Sequence, residues 1–251
     1  CEFLVFDETL VNSLVLTTLE GKEPTLNMGQ TRWYKKLDAH ATYVVALDPA
    51  MGTGGDNAAI QVFELPSYTQ VAEWKHNTTP IPQQIRIMRD ICNYIKDETK
   101  SSGSNIYWSV ENNTIGESAL LVINDFGEDS IPGLFVSEPI RKGHIRKFRK
   151  GFNTTHKTKI TACSRLKNMI EKEKLKIYSK PLISELKSFI ASGSSFKAKS
   201  GQTDDLVSAT LLIMRIISVL KDWDPKIYTS FSQADEDTAD KVMPMPIFVS
   251  H

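Results

Sequence analysis

From Thr42 the hydrophobic and polar positions fall into readable periods. TYVVALD (42–48) is a run of apolar residues ending on a carboxylate, the pattern of a buried strand. The loop PAMGTGGDN follows, then AAIQVFEL and TQVAEWKHN, two further strand patterns joined by the turn PSY. Three strands with short connections predict an antiparallel meander. Ile85, Met88, Ile91, Cys92 and Ile95 then recur at helical spacing, with Pro82 in the opening turn and Ser101-Ser102-Gly103 as the stop. NIYWSVEN predicts a fourth strand, ESALLVINDFG a helix closed by Gly127, and GLFVSEP a short fifth strand.

The basic stretch RKGHIRKFRKGFNTTHKTK shows no period and is expected to be a loop. Ile160, Cys163, Leu166, Met169 and Ile170 mark another helix; PLISELKSFI is a further one and SFKAKSG a hairpin edge. Asp204-Asp205 open a strongly apolar helix, LVSATLLIMRIISVL. The order predicts an α/β fold: a mixed sheet of three meandering strands followed by parallel ones, flanked by helices. Residues 1–40, without a clean period, are expected to be a leader or inter-domain linker, 41–222 the domain, and 223–251 a flexible acidic tail.

Composition narrows the picture. With 251 residues, 41% of them hydrophobic, the chain supports one sizeable core. It has no run of about 18 apolar residues that would span a membrane. Three scattered cysteines without a CxxC pair imply neither a zinc site nor a disulfide framework and fit a reducing compartment. The first residue is Cys1, so a piece of a longer protein is expected. The formal net charge of zero hides a segregation: residues 141–180 carry 14 basic against two acidic side chains, whereas residues 1–140 carry 9 against 19. A cationic block beside an acidic remainder suits a polyanion partner, although a solvated basic surface has the same composition.

Asp48, Glu111 and Asp204-Asp205 each border an apolar run that folding drives toward the core. Desolvating such carboxylates is costly unless a cation compensates. Hard divalent ions, Mg²⁺ or Mn²⁺, are the cations that an all-oxygen ligand set suits, which points to metal-assisted phosphodiester chemistry. Strand ends in an open α/β sheet gather at one crevice, and a late helix can bring the third carboxylate over it. Bland alternatives exist: an Asx turn at Asp48-Pro49, an exposed edge for Glu111, helix capping by one or both of Asp204 and Asp205, and a simple turn at Asp56 beside Gly54-Gly55. Between the adjacent pair, Asp205 is preferred as the ligand.

VVALDPAMGTGGDNAA, IYWSVENNTIGESAL, GFNTTHKTKITACSRLKNMIEKEKLKI and GQTDDLVSATLLI together resemble the C-terminal nuclease domain of the large terminase subunit of tailed bacteriophages, a ribonuclease H-like fold. The resemblance covers residues 43–220. It implies a two-metal endonuclease that cuts concatemeric viral double-stranded DNA during packaging in the host cytoplasm. Its ligands would be Asp48, Glu111, Asp205 and Asp204, with Asp56 beside them. It further implies an ATPase domain, a portal protein and a small terminase subunit as partners. No GxxxxGK[ST] phosphate loop occurs, so the motor is not expected within this chain. Thr158 and Lys159 lie in the best-matching segment, flanked by Lys157 and Lys147; with Lys142, Arg146, Arg149 and Lys150 they are the expected DNA-backbone contacts. His144 and His156 are weaker candidates as proton carriers, and Phe148 and Phe152 as stacking platforms or loop anchors. A Holliday-junction resolvase or a transposase-type strand transferase is the rival on this fold.

Overall fold

In the computed structural model, residues 2–15, 18, 21, 31–142 and 145–223 are described. A six-stranded sheet runs through the middle. It comprises β2 (Arg32–Trp33), β3 (Thr42–Asp48), β4 (Ala58–Leu65), β5 (Thr69–His76), β6 (Ile106–Val110) and β7 (Leu134–Phe135), in the order β2-β5-β4-β3-β6-β7. β3, β4 and β5 form the expected antiparallel meander, while β6 lies parallel to β3 and β7 parallel to β6. The fold is therefore the mixed α/β sheet that the periodicity predicts.

All eight residues of β4 are buried, because helices cover both faces of the sheet. On one face α2 (Ile81–Glu98) and α3 (Thr114–Phe126) bring Ile85, Met88, Ile91 and Ala119 against Tyr43, Val45 and Leu47. On the other, α4 (His156–Glu171), α5 (Lys180–Ser188) and α6 (Asp205–Trp223) pack with Val44, Ala46 and Phe63. Twelve of the 19 residues of α6 are buried, each large aliphatic one contributing about 1.5–3 kcal/mol on leaving water. Among the described residues no helix is long and apolar enough to cross a membrane.

Strand parity decides where the acids point. Residues 44 and 46 of β3 face α6, so Asp48 does too. In β6, Ile106, Trp108 and Val110 face α2 and α3, which leaves Tyr107, Ser109 and then Glu111 on the α6 side. Leu47 pairs with Val110, and the Glu111 amide donates to the Leu47 carbonyl at 2.9 Å, so the two carboxylates leave adjacent strand ends.

Three expectations change. The basic stretch is not a loop: β8 (Glu138–Lys142) and β9 (Ile145–Arg149) form an antiparallel hairpin, Glu138 opposite Arg149. It buries no apolar face of its own, leaving Ile145 and Phe148 exposed, so its strands carry no hydrophobic alternation. The helix expected through Ile190 stops at Ser188, where extended Phe189 starts β10 (Phe189–Ser192); β10 pairs with β11 (Ser195–Ala198) as the hairpin edge seen in SFKAKSG. Part of the expected leader is built into the fold. β1 (Glu2–Leu4) extends β10, and α1 (Glu8–Leu14), capped by Asp7, follows it. Val5, Phe6 and Val11 join the α6-side core, and β2 edges the main sheet. The expected tail lies, beyond Trp223, outside the described residues.

Cys92 and Cys163 are buried free thiols, and burial pushes both thiols up, Cys163 to about 12. Neither forms appreciable thiolate at pH 8, so both should resist alkylation in the native protein. Peptide-resolved mass spectrometry after iodoacetamide should find them unlabelled until denaturant is added; rapid native labelling of either would contradict the packing.

Candidate active site

Where β3 and β6 end beneath the first turn of α6, a cavity of about 360 Å³ opens, lined among others by Asp48, Asp56, Glu111, Asn113, Asp204, Asp205 and Ser208. All four expected acids and Asp56 share it. Asp48 hydrogen-bonds Glu111, and burial, followed by the charge of Glu111, pushes its carboxyl well above the ordinary range; Asp205 and Asp204 push it further in the same direction. Burial also raises Asp205, opposed by the Asn57 amide and the Lys75 ammonium. These carboxylates repel one another around a pocket whose described lining includes no Lys or Arg, the electrostatic condition a divalent ion relieves. Among the described residues no three acidic, His or Cys side chains already stand as a formed coordination shell. Asp48 and Glu111 are the pair in contact, with Asp205 and Asp204 within electrostatic reach.

Each acid is held differently. Asn113 donates to Glu111 Oε1 at 2.9 Å. Asn57 donates to Asp205 Oδ2 at 2.8 Å, and Lys75 Nζ lies 3.7 Å from the same oxygen. Asp204 spends Oδ2 on the Ala198 amide at 3.2 Å, and its carbonyl accepts the Ser208 amide at 2.8 Å, opening α6. Asp204 is thus partly structural, whereas Asp205 stands on the first turn of α6. Asp56 is exposed at the rim, in a loop pinned by Gln84 to Ala50 and by Asn77 to Gly54.

Two helix N-termini meet this pocket. Asn113, Thr114, Ile115 and Gly116 of the α3 start line it, and α6 starts at Asp205. Their positive ends favour both the carboxylates and an incoming phosphate. Gly116 makes the first meeting possible, since a Cβ there would lie 2.0 Å from the Glu111 carbonyl.

The basic residues divide. Arg146, Lys147 and Lys157 are exposed. Arg149 is paired with Glu138 at 2.7 Å, Lys150 with Glu128, and Lys159 lies over the Phe189 ring. The Thr158 hydroxyl accepts the Thr155 amide at 2.8 Å in a capping box that starts α4, so its local role is structural. The side chain of Lys142 and all of His144 lie outside the described residues, and His156 is exposed on the first turn of α4. Phe148 is 54% exposed and meets Trp223 edge-on. Phe152 is buried, which rules out stacking on bases and makes it the loop anchor. Its backbone bridges to Glu111, donating to the Val110 carbonyl and accepting from the Asn112 amide.

Sequence reasoning missed Asn57, Lys75, Asn113, Glu138 and Arg215. Glu138 accepts from Arg215 (2.7 Å), from Arg149 and from the Asn153 amide, tying the hairpin base to α6. Asn113 acts on its near neighbour Glu111, whereas the others act through partners dozens of residues away.

A family model described as the terminase RNaseH-like domain matches residues 45–215. The chain belongs to that family. Its fold is also that of solved terminase nucleases. The large terminase nuclease of thermophilic phage G20c with bound magnesium is 14% identical, with a TM-score of 0.59 over 82% of this chain and 95% of that one. The nuclease domain of Thermus phage P74-26 large terminase is 15% identical (TM-score 0.50, covering 81% and 92%). That of human cytomegalovirus terminase, manganese-soaked and inhibitor-bound, is 13% identical (TM-score 0.50, covering 86% and 96%). The resemblance read from the sequence is thus shown: this is a terminase nuclease domain, and its fold is ribonuclease H-like.

Proposed function

We propose that this domain cuts double-stranded concatemeric viral DNA during genome packaging in the host cytoplasm, using two Mg²⁺ or Mn²⁺ ions held by Asp48, Glu111 and Asp205. Asp204 and Asp56 complete the acidic rim. The carrying observation is the convergence of Asp48 and Glu111, from adjacent strand ends, beneath the first turn of α6. The donor set fits: the pocket's charged side chains are carboxylates, with no Cys or His among the described lining residues, a set that suits hard divalent cations. The G20c relative is recorded with magnesium and with cobalt, and the cytomegalovirus relative was soaked in manganese.

When bound, such ions supply Lewis-acid polarisation of the scissile phosphate and a more acidic water. The chain's own residues do the rest. Asn113 fixes the Glu111 carboxylate, the α3 N-terminus offers backbone amides toward a phosphate, and the pinned 49–57 loop walls one side. Arg146, Lys147 and Lys157 neutralise the DNA backbone, positioning the duplex without reading its sequence. The ATPase domain, portal and small terminase subunit are the proposed assembly partners.

The direct experiment incubates the domain with supercoiled plasmid. Nicked and linear products should appear with Mn²⁺ or Mg²⁺, cease with EDTA, and show no preference for four-way junctions. Selective resolution of junctions would instead support the resolvase reading. A separate prediction concerns the hairpin. Arg146→Ala and Lys147→Ala should each weaken duplex binding uniformly across sequences and reduce the salt slope of log Kd by about 1. Fluorescence anisotropy across a salt series reads this; an unchanged slope in both would remove the hairpin from the interface.

A further inference from the structure

Around Asp205 runs a chain of polar contacts that the reaction does not account for, starting from Asn57 in the pocket wall. The Asp205 Oδ2 receives the Asn57 amide at 2.8 Å and faces Lys75 Nζ at 3.7 Å. Lys75 is fixed in turn: it donates to Glu185 Oε1 at 2.6 Å and to the Thr203 hydroxyl at 2.8 Å. Thr203 donates to the same Glu185 oxygen at 2.9 Å. The other Glu185 oxygen accepts the Val207 amide at 3.0 Å, in the first turn of α6. One network therefore joins β5, α5, the Gly-rich loop and the start of α6.

This arrangement has an orienting geometry. Both Asp205 contacts fall on Oδ2. They restrict the rotation of the carboxylate, and among the described residues both of its side-chain contacts fall on Oδ2, which leaves Oδ1 to meet an ion. Glu185, only 6% exposed at its side chain, is a buried charge that Lys75 compensates and that helps cap α6. Outer contacts of this kind decide the orientation and basicity of a metal-ligating side chain, and losing one typically costs about 10–100-fold in metal affinity.

Resting on the metal-site reading above, we propose that Asn57 and Lys75, the latter anchored by Glu185 and Thr203, are positioning residues that present Asp205 to a divalent ion. They touch neither substrate nor ion in this role. Their effect is to pre-pay the ordering of Asp205, so the site binds its metal more tightly than loose carboxylates would.

The test is direct Mn²⁺ binding to the whole chain without DNA, followed by electron paramagnetic resonance of free Mn²⁺ in a titration. Asn57→Leu removes the amide donor at similar size. The pair Lys75→Met with Glu185→Gln removes the ammonium while leaving net charge unchanged, so a lost affinity reports orientation rather than field. Both variants should bind Mn²⁺ about 10–100-fold more weakly than the unmodified chain. Asn57 sits in a loop rather than in the core, so its variant keeps the test open even if the paired variant melts. Affinity within twofold of the unmodified chain for Asn57→Leu overturns the inference alone. No Mn²⁺ binding by the unmodified chain overturns the metal-site reading and the inference with it.

Discussion

Asp48→Ala and Glu111→Ala should each lower plasmid cleavage by roughly 10³-fold or more while leaving duplex affinity nearly intact. The size follows from what metal catalysis supplies: several kcal/mol of transition-state stabilisation, at tenfold in rate per about 1.4 kcal/mol. The separation from binding follows from the structure, because the exposed cations of the β8–β9 hairpin and Lys157 are distinct from the carboxylate pocket. Removing an acid from this cluster also relieves folding stress, since burial first, and then its acidic neighbours, push the Asp48 carboxyl up. Neither variant should therefore melt below the parent in metal-free buffer. Single-turnover nicking in Mn²⁺ with anisotropy on the same samples reads both quantities. Cleavage within tenfold of the parent in either variant would take that residue out of the site.

The second large effect concerns stability. Arg215 is 10% exposed at its side chain and lies over Phe152, with its charge matched by Glu138 at 2.7 Å. Glu138→Ala strands that buried guanidinium and frees Arg149 and the Asn153 amide together. Breaking one partner of a buried pair costs about 3–5 kcal/mol, which for a chain of this size lowers Tm by roughly 10 °C. Because Phe152 bridges backbone to backbone with Glu111, cleavage should fall as well. The paired variant Glu138→Ala with Arg215→Met should recover much of the stability, since no unpaired charge is then left inside. Thermal melts of the three proteins check this; equal and additive losses would show that the two side chains do not act as a pair.

What the sequence made legible follows from burial. A carboxylate at the edge of an apolar run is conspicuous because the period predicts what surrounds it, and Asp48, Glu111 and the Asp204-Asp205 step were singled out that way. β3, β4 and α6 were legible for the same reason: packed on both sides, their residues are mostly apolar. The β8–β9 hairpin was not. Its strands are held by backbone pairing and by Glu138 at their base, with Ile145 and Phe148 turned to solvent, so no apolar period marks them. β1 was misread because its partner, β10, lies some 190 residues away and three exposed residues give no strand signal. Asn57 and Lys75 were invisible on similar grounds, since their meaning comes only from Asp205, far along the chain.

The most direct measurement is a crystal of this chain grown with Mn²⁺ and examined by anomalous scattering. The account predicts Mn²⁺ density coordinated by Asp48, Glu111 and Asp205, with a second peak nearby once a nucleic-acid phosphate is present. Saturating Mn²⁺ with no anomalous peak in this pocket, and the three carboxylates turned away from one another, would contradict it.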